Sequence, residues 1–192
     1  MSETDQRPII GRKEQIGFIG LLLSAFSAPF TMAFLIGAIA DEFTNATRGE
    51  IGTIATLELF SISVLSIIIS RNIHLINMKI FFVVGVLVVA LGHLITVYSP
   101  NLEIVYIARI IAGIGSGIIV ATIMANVAKA QNAQMTFALI NSGVGAAGVL
   151  LSLVIPRVIS HYGMDGAYLI HFIFSLFGFM FLMLIPSRRN LD

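Results

Sequence analysis

The 192-residue chain is 57% apolar and only 11% charged, with a net charge of +1 and a mean hydropathy of +0.97. A soluble globular domain carries roughly 25% charged residues, so this composition excludes a disordered chain and a soluble enzyme domain, and its near-neutral balance offers no basic field to nucleic acid. The absence of cysteine removes disulfides, thiolate metal sites and cysteine nucleophiles, and the absence of tryptophan leaves Tyr and Phe as the only interfacial aromatics.

Six stretches reach the roughly 20 apolar residues that a helix needs to cross the ~30 Å hydrocarbon core. The first, Ile16–Ala40, follows a charged N-terminal segment, residues 1–15, and carries Pro29 in its interior, where membranes tolerate proline and a kink is expected. Its end, Ala38-Ile39-Ala40, resembles a signal-peptidase site. The apolar run before it exceeds the usual length of about 7–15 residues, so it reads as a retained span. Asp41-Glu42-Phe43-Thr44-Asn45 closes it with charge and turn formers. The second span is Glu50–Ile69. The third, Lys79–Tyr98, stops at Ser99-Pro100-Asn101, because proline cannot continue a helix. The fourth and fifth are Leu102–Ala128 and Met135–Arg157, and Gly163-Met164-Asp165-Gly166 separates the fifth from the sixth, Gly166–Pro186. Residues 187–192 form a tail. Segments such as SISVLSIII do not alternate polar with apolar, which excludes a transmembrane barrel. The expected fold is an all-α membrane domain over 16–186, with short connections and antiparallel neighbours.

Lysine and arginine set the expected orientation. An even number of spans puts Arg7, Arg12, Lys13, Arg71, Lys79, Lys129, Arg188 and Arg189 on one side and only Arg48 and Arg157 on the other. The positive-inside rule makes the richer side, with both termini, cytoplasmic. The expected location is a bacterial cytoplasmic membrane.

Polar residues inside the spans are the informative exceptions, since a charge at mid-bilayer costs on the order of 2.5–3.5 kcal/mol. Glu58 lies about 12 Å below the outer end of the second span and Arg109 about 10 Å below that of the fourth, at a rise of about 1.5 Å per residue. Matching depths make them a candidate pair, either a proton or cation site on a transport path or a structural salt bridge. His93 and His171 lie at about 8 Å in the third and sixth spans, as members of a proton relay or as structural groups. Asn141 and Ser142 in the fifth span, and Ser24, Ser27 and Thr31 in the first, either line a polar path or bond between helices; Asn126 reads as solvated. Small residues recur every fourth position, at Gly113, Gly117, Ala121 and Ala125 in the fourth span and at Ala138, Ser142 and Ala146 in the fifth, beside Gly143, Gly145 and Gly148. Such rows allow close packing and are equally compatible with sliding. No phosphate loop, HExxH or GxSxG motif occurs, so neither metal nor catalytic nucleophile is expected.

Arg109-Ile-Ile-Ala-Gly113-Ile-Gly115-Ser116-Gly117 resembles the R-x-x-x-G-x-G-x-G pattern on the fourth helix of major facilitator superfamily transporters. The likeness runs from Ile16 to about Pro186 and is closest to the N-terminal six-helix half of that fold, a 3+3 inverted repeat. It implies a role in energy coupling for Arg109. Gly163-Met164-Asp165-Gly166-Ala167-Tyr168 is similar to the family's G-W-R-W-A-F at the start of the sixth helix, without its tryptophans and arginine. The chain departs at the loop between the second and third spans. There the family reads G-x-L-x-D-R-x-G-R-[RK], and Ser70, His74 and Asn77 replace the first glycine, the aspartate and the second glycine, leaving Lys79 as the surviving basic end. The antiporter motif G-P-x-x-G-G is replaced by Leu151-Ser152-Leu153-Val154-Ile155-Pro156.

Family members have two such halves with substrate between them. The resemblance therefore implies secondary transport of a small solute, coupled to a proton or cation and needing no other cofactor, by a homodimer or with a separate partner half. One half alone is expected to expose Glu58 or Arg109 to lipid, which a second six-helix unit would cover. The alternatives are a detached half without transport of its own and a non-transporting accessory or sensor subunit.

Overall fold

The computed structural model describes residues 8–72 and 77–185. It is all helical, with α1 Arg12–Glu42, α2 Arg48–Asn72, α3 Met78–Val97, α4 Leu102–Ala128 and α5 Ala133–Leu182. All five are long and apolar enough to cross a membrane. Polar side chains fix where they start. Thr47 and Glu50 form a reciprocal cap on α2, with Thr47 N–H donating to Glu50 Oε2 at 2.7 Å and Glu50 N–H to Thr47 Oγ1 at 3.3 Å. Asn77 and Asn101 cap α3 and α4 by accepting from the Lys79 and Ile104 amides.

The expected loop between the fifth and sixth spans is absent. Helical geometry runs on past Arg157 and breaks only at Gly163, which has φ 62° and ψ −156°. That conformation is essentially confined to glycine, so one residue does the work assigned to four. The break divides α5 into arms at 133–162 and 164–182. Gly143 packs on Ile19 and Gly148 on Phe30, so the first arm runs in the sense of α1. His171 meets Thr31, Ser175 meets Ser24 and Phe181 meets Gly20, so the second arm runs against it.

A parallel arrangement surrounds α4. Gly113 packs on Glu58 and Gly117 on Ile62 and Leu65, placing α2 alongside α4 in the same sense. Gly92 packs on Ala112 and Gly85 on Ile119, placing α3 against it in the opposite sense. Two triplets result, one centred on α1 with both arms of α5 and one centred on α4 with α2 and α3. The α3 helix also packs against the second arm, where His93 faces His171.

The glycines of α4 divide between two neighbours. Gly113 and Gly117 face α2, whereas Gly115 faces α3, where an added Cβ would lie 2.5 Å from Val89 N. Ser116 turns to α1 and donates to the carbonyl of Ala25 at 2.8 Å. Pro29 stands four residues after Ala25 and has no N–H to give it. The helix continues through Pro29, and a hydroxyl from α4 supplies the missing donor. In α5, by contrast, Ala138, Ser142 and Ala146 lie exposed, so this small-residue row makes no seam within the unit, although Gly143 and Gly148 do.

Gly163→Ala places a Cβ in open space but forces an unfavourable backbone. It is expected to cost about 1–3 kcal/mol. Gly145→Ala, also in open space but on a regular helix, is expected to be neutral or slightly stabilising. Thermal unfolding of both variants in detergent compares the two.

Candidate functional site

Six side chains from five helices meet at the centre of the bundle. They are Glu58 of α2, His93 and Thr96 of α3, Arg109 of α4, His171 of α5 and Thr31 of α1, all fully buried or nearly so. Arg109 organises them. Its Nη2 donates to the Gly92 carbonyl at 3.0 Å and to Thr96 Oγ1 at 2.6 Å. Both terminal nitrogens lie 3.3 Å from His93 Nδ1. The guanidinium carbon sits 4.5 Å from the centre of the Tyr168 ring, a cation–π arrangement strengthened by the burial of both side chains.

Glu58 approaches from the opposite helix, with Oε2 3.6 Å from Arg109 Nη1. This is an ion pair and not a hydrogen bond, and neither carboxylate oxygen has a hydrogen-bonding partner among the described residues. The cation is therefore held by α3, and Glu58 balances its charge.

Small residues produce this geometry. An added Cβ on Gly113, one turn after Arg109, would lie 2.5 Å from the Glu58 carbonyl oxygen, so this glycine seats the backbone of the residue whose carboxylate Arg109 pairs. A Cβ on Gly92 would lie 2.6 Å from Ala112 N, so α3 comes near enough for Arg109 to reach the Gly92 carbonyl.

Glu58 and Arg109, paired by depth in the sequence, are in contact, and the rings of His93 and His171, read separately there, have centres 5.6 Å apart. His171 Nε2 lies 3.1 Å from Thr31 Oγ1, so Thr31 serves a bond between helices. Asn141 is not brought into this cluster. It is exposed on α5 and bonds its own helix at the Phe137 carbonyl. Asn126, read as solvated, is buried and donates to Thr122 O at 2.7 Å. The expectation that one unit leaves Glu58 or Arg109 facing lipid is also corrected, because the six-residue cluster lies wholly inside it.

Thr96 and Gly92 were not singled out by sequence, and Tyr168 entered only as the last residue of the degenerate motif that opens the sixth span. Helical spacing carries the signal: Thr96 lies one turn after Gly92 and His93, and Tyr168 one turn before His171.

The arginine, its glycines and their partner carboxylate now stand in one structural frame, and the profile of the Major Facilitator Superfamily matches residues 17–191. The chain belongs to the major facilitator superfamily. It is thus an integral membrane protein of a transporter family. No curated protein matches it. The superfamily pattern on α4 is complete in this member, whereas its loop between α2 and α3 is degenerate. Ser70 is exposed and bonds Ser66 O, Asn77 caps α3 together with the Lys79 amide, and His74 lies outside the described residues.

Arg109→Met strands a buried carboxylate and several acceptors, and its expected cost is about 3–5 kcal/mol. Glu58→Gln keeps the shape and leaves Arg109 its other partners, so a smaller loss is expected. The double variant should lose clearly less than the sum of the two, as read by a thermal double-mutant cycle. Gly113→Ala pushes α2 from α4 and is expected to cost about 1–3 kcal/mol, whereas Gly52→Ala, in open space, should change little by the same measurement.

Proposed function

We propose that this protein is one six-crossing unit of a secondary active transporter for a small solute, with Glu58 as its proton or cation site and Arg109 as the group that answers its change of charge. The observation that carries the reading is the fully buried Glu58–Arg109 pair at the centre of a major facilitator domain. Ionisable groups inside membrane domains mark ion pathways by default. Glu58 is also the member of the cluster whose proton count can change without breaking a hydrogen bond, since its oxygens accept none among the described residues. Arg109 is within reach of an anionic substrate group only if the surrounding helices part.

Taking the two arms of α5 as separate crossings gives six helices in a 3+3 inverted repeat. The triplets support this, because α1 and α4 each hold one helix running with them and one running against them. Lys and Arg distribution supports cytoplasmic termini.

A second six-helix unit, a copy of this chain or a partner half, completes the transporter in this reading. The buried charges do not require it. The polar outer faces of two helices favour it: Thr53, Thr56, Ser63 and Ser70 are exposed along α2, as are Asn141 and Ser142 on α5. Rocking of the two units would alternate access to a site between them.

Native mass spectrometry from mild detergent is expected to give a dimer that persists on dilution; a monomer at every concentration overturns the homodimer and leaves the partner half. Proteoliposomes under a pH gradient, offered a panel of sugars, organic acids and cationic drugs, should show uptake that Glu58→Gln abolishes. Unchanged gradient-driven uptake by that variant removes Glu58 from coupling. No uptake of any solute favours a detached half or an accessory subunit.

A further inference from the structure

The two buried histidines are held in defined proton states by their neighbours. Arg109 is a donor only, and its two terminal nitrogens both face His93 Nδ1. His93 Nδ1 must therefore accept, which puts the proton of a neutral ring on Nε2. That Nε2–H has no partner among the described residues. Thr31 Oγ1 lies 3.0 Å from the Ser27 carbonyl and 3.2 Å from that of Ala28, so its hydroxyl proton is engaged by its own helix. Its oxygen can accept from His171 Nε2, which puts the proton of that ring on Nε2 and leaves Nδ1 an acceptor without a partner among the described residues.

Neighbouring rings thus keep one buried donor, on His93, and one buried acceptor, on His171, and leaving either unmade is costly away from solvent. The ring centres are 5.6 Å apart and no direct bond joins them. Rings at this separation leave one water able to bond to both, at about 2.9 Å from each nitrogen it joins. A buried water needs about 2–4 polar partners, and the two ring nitrogens supply two. The Tyr168 ring borders both, 6.1 Å from that of His93 and 6.2 Å from that of His171.

We infer that His93 and His171 bind one ordered water between them. His93 Nε2–H donates to the water, and the water donates to His171 Nδ1. A hydrogen-bond chain of one polarity then runs from Arg109 on α4 through α3 and α5 to Thr31 on α1, ending at the Ser27 carbonyl. Glu58, beside Arg109, is the acidic group at its head. The site binds water whether or not the protein transports, so it stands apart from the transport reading.

The test is nitrogen-15 NMR of histidine-labelled protein in lipid nanodiscs at neutral pH, with His93 and His171 assigned by single substitutions to Gln. Both rings should be neutral with the proton on Nε2, and the His93 Nε2 proton should show a cross-peak to a bound water. Arg109→Met is expected to split His93 between tautomers and leave His171 unchanged. Thr31→Val should do the reverse, and it alters little volume if Arg109→Met fails to fold. A proton on Nδ1 of either ring, an imidazolium, or a His93 Nε2 proton without water contact in the unmodified protein overturns the assignment.

Discussion

Everything at the centre of this bundle depends on how near α2 and α3 come to α4. In lipid, apolar side chains gain little by leaving one apolar medium for another, so helices associate through close packing and polar bonds. Here the two requirements are linked. Gly113 lets the Glu58 backbone rest on α4, and Gly92 lets α3 approach until its carbonyl reaches Arg109. Without that proximity the guanidinium would lose its acceptors and the carboxylate its counter-charge. The glycine pattern after the arginine is therefore part of the charge arrangement, since it sets the distance over which the charge is satisfied.

The link between the two triplets has a related logic. Proline inside α1 removes a donor from its own ladder, and α4 repairs the loss through Ser116. A bond that would normally belong to one helix has become a bond between two. His171 and Thr31 tie α5 to α1 nearby, and Arg109 and Thr96 tie α4 to α3. Polar atoms thus connect the helices where apolar contact discriminates poorly among alternative packings.

Much of this was legible in the sequence, because hydropathy and depth are properties of single helices. Hydropathy starts the third and fourth spans at Lys79 and Leu102, and α3 and α4 begin at Met78 and Leu102; equal depths put Glu58 beside Arg109. Rotation about each helix axis was not legible. Depth alone could not say that Asn141 faces outward, that Asn126 faces inward, or that Glu58 and Arg109 are covered by their own unit. The break at Gly163 was foreseen as a loop because four turn-forming residues cluster there, yet one glycine can reverse the path when its φ is positive and nothing crowds it.

That single-residue reversal has a mechanical consequence. A longer loop would let the two arms stand apart, and the joint at Gly163 leaves one residue between them. The arms it joins both lie along α1, so neither can pack elsewhere without leaving that helix. The second arm also packs on α3, so the same joint that closes the α1 triplet presents it to the α4 triplet.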